Sequence, residues 1–269
     1  MSGVSRLRYP TDLRIVRVMC TGRVDLKHIF YAFSKGIDGV LIIGCRLNEC
    51  KFITEGNYHA LNGVLLSKKI MEHIGLDPQR LQIRFMSSAD GPLFAETVKE
   101  VSGIIHNLGP VNGEVKDKIE EVIRLIPYIK IAKRDKLTVK LTDPSKWEEH
   151  FSKEEIEELF KNVPSYWIDP EKCRACMTCL KRCPVEAIDG GKKLIHIIKQ
   201  EDCIKCGTCF EVCKFDAVKK LVGEPVPDPI PENKRTIAKK EKAKAAKGSK
   251  ATEKKGKTKG TKGKAAQKK

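Results

Sequence analysis

Two runs of four cysteines at one spacing, C-x2-C-x2-C-x3-C, constrain this chain more than any other feature. The first run is Cys173, Cys176, Cys179 and Cys183, closed by Pro184. The second, thirty residues on, is Cys203, Cys206, Cys209 and Cys213. Thr178 and Thr208 match across the two blocks, as do Ala187 and Ala217, and Ile188 answers Val218. The block is therefore an internal repeat, expected to fold as a pseudo-twofold pair. Three thiolates on so tight a loop cap one face of an iron–sulfur cubane, and the fourth, after a short helical turn, reaches the other cluster. On that rule Cys173, Cys176, Cys179 and Cys213 bind one 4Fe-4S cluster, and Cys203, Cys206, Cys209 and Cys183 bind the second. Small residues at Ala175, Thr178, Gly207 and Thr208 leave backbone N–H groups free to hydrogen-bond the sulfur atoms and tune the potential. Structural zinc takes paired C-x2-C knuckles far apart in sequence, four thiolates per ion, and this rhythm fits that poorly. Lys214 stands where the first run has Pro184, a position that supports the turn and ligates nothing.

The rest of the composition agrees with a reduced compartment. Eight of the eleven cysteines fall within 41 residues, and no hydrophobic leader precedes them, so they read as ligands rather than as a disulfide framework. No stretch approaches the roughly 18 apolar residues of a membrane span. A cytoplasmic chain is expected. The formal charge of +17 resembles a nucleic-acid footprint until it is located. Residues 234–269 hold 16 Lys/Arg against Glu241 and Glu253, a net +14, which leaves +3 for everything before them. Any electrostatic argument is an argument about that tail.

Along the chain, residues 1–110 alternate strand and helix patterns. Leu13–Met19 and Gly39–Gly44 read as strands, the second an apolar run of the kind covered on both faces, and Leu81–Phe85 as a third. Asp25–Lys35, Tyr58–Gly75 and Leu93–Leu108 carry helical periodicity. This order implies an α/β domain with a parallel sheet. Residues 111–165 read as a helical connector, with helices over Val115–Leu125 and Lys153–Asn162 and a strand near Lys136–Leu141. Residues 166–222 are the α+β cysteine module, in which Gly190–Gly191 turns a hairpin. Residues 223–269 begin with four prolines in Gly223–Glu232, an extended linker. They end in a Lys-rich tail without a core, expected to be disordered and removable from Lys234 onward without harm to the remainder.

Three cysteines lie outside the repeat. Cys20 and Cys45 each end an expected strand, and Cys50 follows on the next loop. Sites in open α/β sheets gather at the carboxyl ends of strands, but free cysteines are also common small core residues. Position alone leaves ligation and packing both open. His28, His59 and His73 fall in helices and read as surface or core residues. No G-x-G-x-x-G, P-loop, G-x-S-x-G or H-E-x-x-H motif is present.

Two resemblances add to this reading. CRACMTCLKRCPVEAI, CIKCGTCFEVCKFDAV and the spacer GGKKLIHII resemble the bacterial-type two-cluster ferredoxin fold, in particular the ferredoxin-like ends of NADH-dehydrogenase and iron-hydrogenase subunits. RIVRVMCTGRVD (residues 14–25), GIDGVLIIGCRLNEC (36–50) and EGNYHA (55–60) resemble the delta subunit of methyl-viologen-reducing hydrogenase, over about residues 2–110. That second resemblance implies a flavodoxin- or Rossmann-like layer. It also implies a 2Fe-2S cluster on Cys20, Cys45, Cys50 and an upstream cysteine. Its implied partners are hydrogenase or formate dehydrogenase subunits, together with a heterodisulfide-reductase-like flavin subunit. The family's opening strand and Cys-rich segment have no counterpart before SGVSRLRYP. Met1 is therefore expected to be internal to a longer protein, through a mis-assigned start, an upstream UGA read as selenocysteine, or a segment carried by a partner. The expected function is electron relay in a multi-subunit oxidoreductase rather than stand-alone catalysis. The competing reading is an Fe–S protein that binds nucleic acid through its basic tail; it is weakened by a tail without any aromatic residue for base stacking.

Overall fold

In the computed structural model, which describes residues 7–51, 55–231 and 235–236, two separate apolar cores form. The first begins at Asp25. Its carboxylate accepts from the Lys27 N–H at 2.9 Å, and its own N–H donates to His28 Nδ1 at 3.0 Å, which caps α1 (Leu26–Ser34). Strands β1 (Val40–Gly44) and β2 (Leu81–Phe85) run parallel, Val40 opposite Leu81 through Gly44 opposite Phe85. A parallel pair needs a long crossover, and α2 (Gly56–Ile74) supplies it. Leu61, Val64, Leu66, Ile70 and Met71 of α2 are wholly buried. The helix stops at Gly75, whose φ of 83° is left-handed. After β2 comes α3 (Gly91–Leu108). The buried Arg80 guanidinium donates to the carbonyls of Asp38, Leu108 and Gly109 at 2.9–3.0 Å, so it pins the approach to β1 against the end of α3.

Two expectations fail in this half. Leu13–Met19 forms no strand: Ile15, Val16 and Met19 are 65%, 81% and 85% exposed, and the sheet that contains β1 has β2 as its one described partner. β-branched composition favours an extended chain, but a strand exists only with a neighbour to complete its ladder. Of the expected parallel sheet, the structure therefore shows two strands. The segment near Lys136–Leu141 is also not a strand. It opens with α5 (Arg134–Leu137), where Lys136 Nζ donates to Glu155 at 2.7 Å and to the His150 carbonyl at 2.9 Å. Its neighbours α4 (Lys116–Ala132) and α6 (Lys153–Lys161) bury Ile119, Val122, Ile126, Ile129 and Ile156 in the same core as α1 and α2. The segment read as a connector thus contributes a wall of the first core. Burial opposes ionisation of Glu155, but Lys136, the Ser152 N–H and Lys133 outweigh it and hold the carboxyl at about 2.

The second core is built twice over. Strand β3 (Pro164–Ile168), helix α7 (Thr178–Arg182) and strand β4 (Ile188–Gly191) are followed, thirty residues on, by β5 (Leu194–Ile198), α8 (Thr208–Glu211) and β6 (Val218–Val222). β3 pairs antiparallel with β6, and β4 with β5. Each small sheet therefore takes one strand from each half. The β4–β5 hairpin turns at Lys192–Lys193, between Gly191 and Leu194, rather than at the glycine pair.

Most of the basic tail lies outside the described residues, but Arg235 and Thr236 do not, and they correct the expected boundary. Thr236 bridges Leu194 at the edge of β5, and the Ile195 N–H donates to the Arg235 carbonyl at 2.7 Å. The Arg235 guanidinium, 4% exposed as a residue, donates to Asp189 Oδ2 at 2.9 Å and to the carbonyls of Asp189 and Ile195 at 3.1 and 3.2 Å. Removal from Lys234 onward would strip this strap. A chain cut after Thr236 is expected to unfold like the full chain in denaturant. A chain cut after Gly223, or Arg235→Ala, should lose about 1–3 kcal/mol, because the charged hydrogen bonds of Arg235 to Asp189 and Ile195 are lost. Equal midpoints for both cuts would show that the strap carries no stability.

Candidate metal centres

The cysteine loops require backbone that side chains disfavour. Ala175, Met177 and Glu186 have φ of 49°, 66° and 54°; thirty residues on, Lys205, Gly207 and Asp216 have 56°, 78° and 47°. A left-handed residue other than glycine costs about 1–2 kcal/mol, so five of these six positions hold strain that something else must offset. Alternating right- and left-handed residues turn successive N–H groups inward into a concavity suited to anions. The same strain recurring in both repeats marks the loops as cradles for a negatively charged group.

The thiols gather in crossed sets. Cys183 of the first run lines one cavity together with Cys203, Cys206 and Cys209 of the second, walled also by Tyr166, Ile188 and Ile198. Burial, and then the thiols of Cys173, Cys176 and Cys213, push Cys179 up to about 11. Burial and the thiols of Cys203, Cys206 and Cys179 push Cys209 up to about 12. Cys179 therefore has the other three members of its expected set as electrostatic neighbours. Cys179 and Cys209 also feel each other, because α7 packs against α8. The Sγ atoms of Cys176 and Cys206 lie 3.4 and 3.3 Å from the hydroxyls of Thr178 and Thr208, and the Ala217 N–H donates to Cys213 Sγ at 3.4 Å. The Thr178 contact first of all holds Cys176 below the usual thiol range.

Among the described residues, no group of three or more His, Cys, Asp or Glu side chains is placed to hold a single metal ion. The second set instead lines one cavity, with four sulfur donors and apolar walls that include Ile188 and Ile198. That donor chemistry fits a 4Fe-4S cluster.

The remaining cysteines converge at the other end of the chain. Cys20 precedes the one-turn 3-10 helix Thr21–Arg23, Cys45 follows β1, and Cys50 closes the loop after it. Burial raises Cys45 above the usual thiol range, aided by the charge and hydrogen bond of Cys50 and by Cys20. Two glycines permit this approach. A Cβ on Gly22 would stand 2.6 Å from Gly56 Cα, and one on Gly56 would collide with Cys20 Sγ. The N-terminus of α2 is thereby brought against Cys20. Asn57 Nδ2 donates to the Arg46 carbonyl at 2.8 Å and Arg46 pairs with Asp90 at 2.7 Å, which fixes the Cys45 loop. His28, His59 and His73 take no part in either site: they cap α1, contact the Leu137 carbonyl and stack on Phe160.

One residue beside a cysteine was not singled out from sequence. His196 on β5 is 1% exposed, and its Nδ1 lies 3.3 Å from Cys179 Sγ. A histidine inside the apolar run Leu194–Ile198 was the available signal.

Residues 1–109 match the family described as methyl-viologen-reducing hydrogenase, delta subunit, and residues 165–214 match the 4Fe-4S dicluster domain. The iron-sulfur subunit of the vhu F420-non-reducing hydrogenase of Methanococcus maripaludis is 42% identical over 110 residues, 41% of this chain and 81% of that protein. Its counterpart in the F420-non-reducing hydrogenase of Archaeoglobus profundus is 39% identical over 114 residues, 42% and 82% of the two chains. One subunit of the ferredoxin/F420H2-dependent CoB-CoM heterodisulfide reductase of Methanosarcina acetivorans is 39% identical over 127 residues, 45% of this chain but 16% of that much longer protein. No helix among the described residues is long and apolar enough to cross a membrane.

The crossed sets give a sharp expectation. Cys183→Ala, although in the first run, should empty the second site, so that iron falls from about eight to about four atoms per chain in anaerobic protein. Loss of the first cluster instead, identified by a double variant with Cys209→Ala, would contradict the crossing.

Proposed function

The chain belongs to the family of the methyl-viologen-reducing hydrogenase delta subunit, and from that premise we propose that it is an electron-relay component of a larger oxidoreductase with two 4Fe-4S clusters in residues 173–213. One observation carries the reading: cysteines of both runs, Cys183 with Cys203, Cys206 and Cys209, line a single cavity. Bound at such sites, each cluster supplies a centre that takes up and gives up one electron. The protein's part is to hold, separate and insulate. Cys173, Cys176, Cys179 and Cys213 would hold the first cluster, and Cys183, Cys203, Cys206 and Cys209 the second. Ile168, Ile188, Ile195 and Val218 form one apolar cluster with the buried thiols of Cys173, Cys179 and Cys209. The α7–α8 contact brings the two sets together, which suits passage of an electron between them.

The reading extends to Cys20, Cys45 and Cys50 as part of a 2Fe-2S site. It is supported by the electrostatic contact of the three thiols beside the N-terminus of α2. Four ligands are usual there, so a fourth would come from elsewhere. Substrate chemistry falls to partners: hydrogenase- or formate-dehydrogenase-type subunits on one side and a heterodisulfide-reductase-like flavin subunit on the other.

Anaerobically purified protein should contain about eight irons and as many acid-labile sulfides in the module, and its reduced form should give the EPR spectrum of two coupled clusters. Protein that binds zinc and no labile sulfide after anaerobic reconstitution would refute the proposal. For the smaller site, the natural complex should hold about two further irons that Cys45→Ser removes. Unchanged iron in that variant would return the three cysteines to a packing role.

A further inference from the structure

His196 is buried beside a cysteine at a cost that packing does not explain. Its Nδ1 lies 3.3 Å from Cys179 Sγ, while its Nε2 is buried without any hydrogen-bond partner. Native proteins seldom leave such an atom unpaired, and where they do a role is indicated. The fold spends two further residues on keeping the ring there. A Cβ on Gly190, where φ is +159°, would collide with the imidazole, so the β4 backbone leaves room for it. Arg235 reaches from outside the module to Asp189 and Ile195, the chain neighbours of Gly190 and His196, and so ties β4 to β5 beside them.

The repeat shows that this arrangement belongs to one half only. Thirty residues earlier, at the matching place on β3, stands Tyr166, which walls the second cavity. The two sets of thiols are therefore faced by different side chains, imidazole for the first and phenol for the second.

We infer that His196 donates an N–H···S hydrogen bond from Nδ1 to Cys179 and thereby raises the reduction potential of the cluster on Cys173, Cys176, Cys179 and Cys213. This rests on the ligation proposed above. A cysteine sulfur bonded to iron carries no proton and can only accept, so the hydrogen must come from the imidazole. Reduction adds one electron and one negative charge to the cluster, and a donor aimed at a ligand sulfur stabilises the more negative state. The bond thus favours the electron on the half of the module that His196 faces.

The test uses the full chain, purified anaerobically, with iron and labile sulfide counted and both potentials followed by EPR-monitored titration. His196→Phe should keep about eight irons and move one potential to more negative values, leaving the other in place. His196→Asn sets an amide nitrogen about where Nδ1 stands and should restore most of the shift, whereas His196→Gln, whose amide reaches the Nε2 position, should not. Eight irons with neither potential moved would overturn the inference. Equal shifts in the Phe and Asn variants would also overturn it, by making the effect one of packing. Failure of the wild-type chain to hold labile sulfide would instead strike the ligation itself. If His196→Phe loses its iron, wild-type protein labelled with 15N-histidine decides: hyperfine coupling of one histidine nitrogen to a reduced cluster is expected, and its absence refutes the bond.

Discussion

Each candidate cluster site needs sulfur from both repeats, and the rest of the second core follows from that requirement. Cys183 can join Cys203, Cys206 and Cys209 only if the end of α7 is carried to the other half. The strand pairing meets this demand, because β3 with β6 and β4 with β5 interleave the two halves rather than stacking one on the other. Neither half can then complete a site by itself. The loops share a second feature, five non-glycine residues held at positive φ at matching places in the two repeats. Burial and the neighbouring thiols push Cys179 and Cys209 up to about 11 and 12.

The first core solves a different problem, that of bringing three thiols to one place from a chain with few strands. Helix α2 is its centre, a crossover whose buried face touches β2, α1 and α6. Its N-terminus meets Cys20 because Gly22 and Gly56 leave no side chain between the two backbones. The apolar residues of Leu13–Met19, exposed in this structure, lead directly into that cysteine.

Arg235 links matters that the chain keeps far apart in sequence. It lies beyond a proline-rich stretch and beside a run of lysines, and composition assigns it to the tail. Its burial between Asp189 and Ile195 instead makes it part of the wall behind His196. One arginine of the basic stretch that dominates the net charge thus works inside the fold.

Residue spacing by itself determined the repeat, the eight thiols and the crossing of the fourth cysteine, since a tight loop can present only three sulfurs to one cubane face. It also determined α1, α2, α3, β1 and β2 to within a few residues, where periodicity and caps act over a single turn or strand. Tertiary structure alone decided the rest. Whether Leu13–Met19 becomes a strand depends on a neighbouring edge, and no local pattern encodes that. Whether Lys136 begins a strand or a helix was settled by Glu155 and the His150 carbonyl, which lie 19 and 14 residues away. The meeting of His196 with Cys179 and the return of Arg235 to β5 are contacts across 17 and 40 residues. Such contacts arise from how the strands pair, and nothing in the local sequence of either partner specifies them.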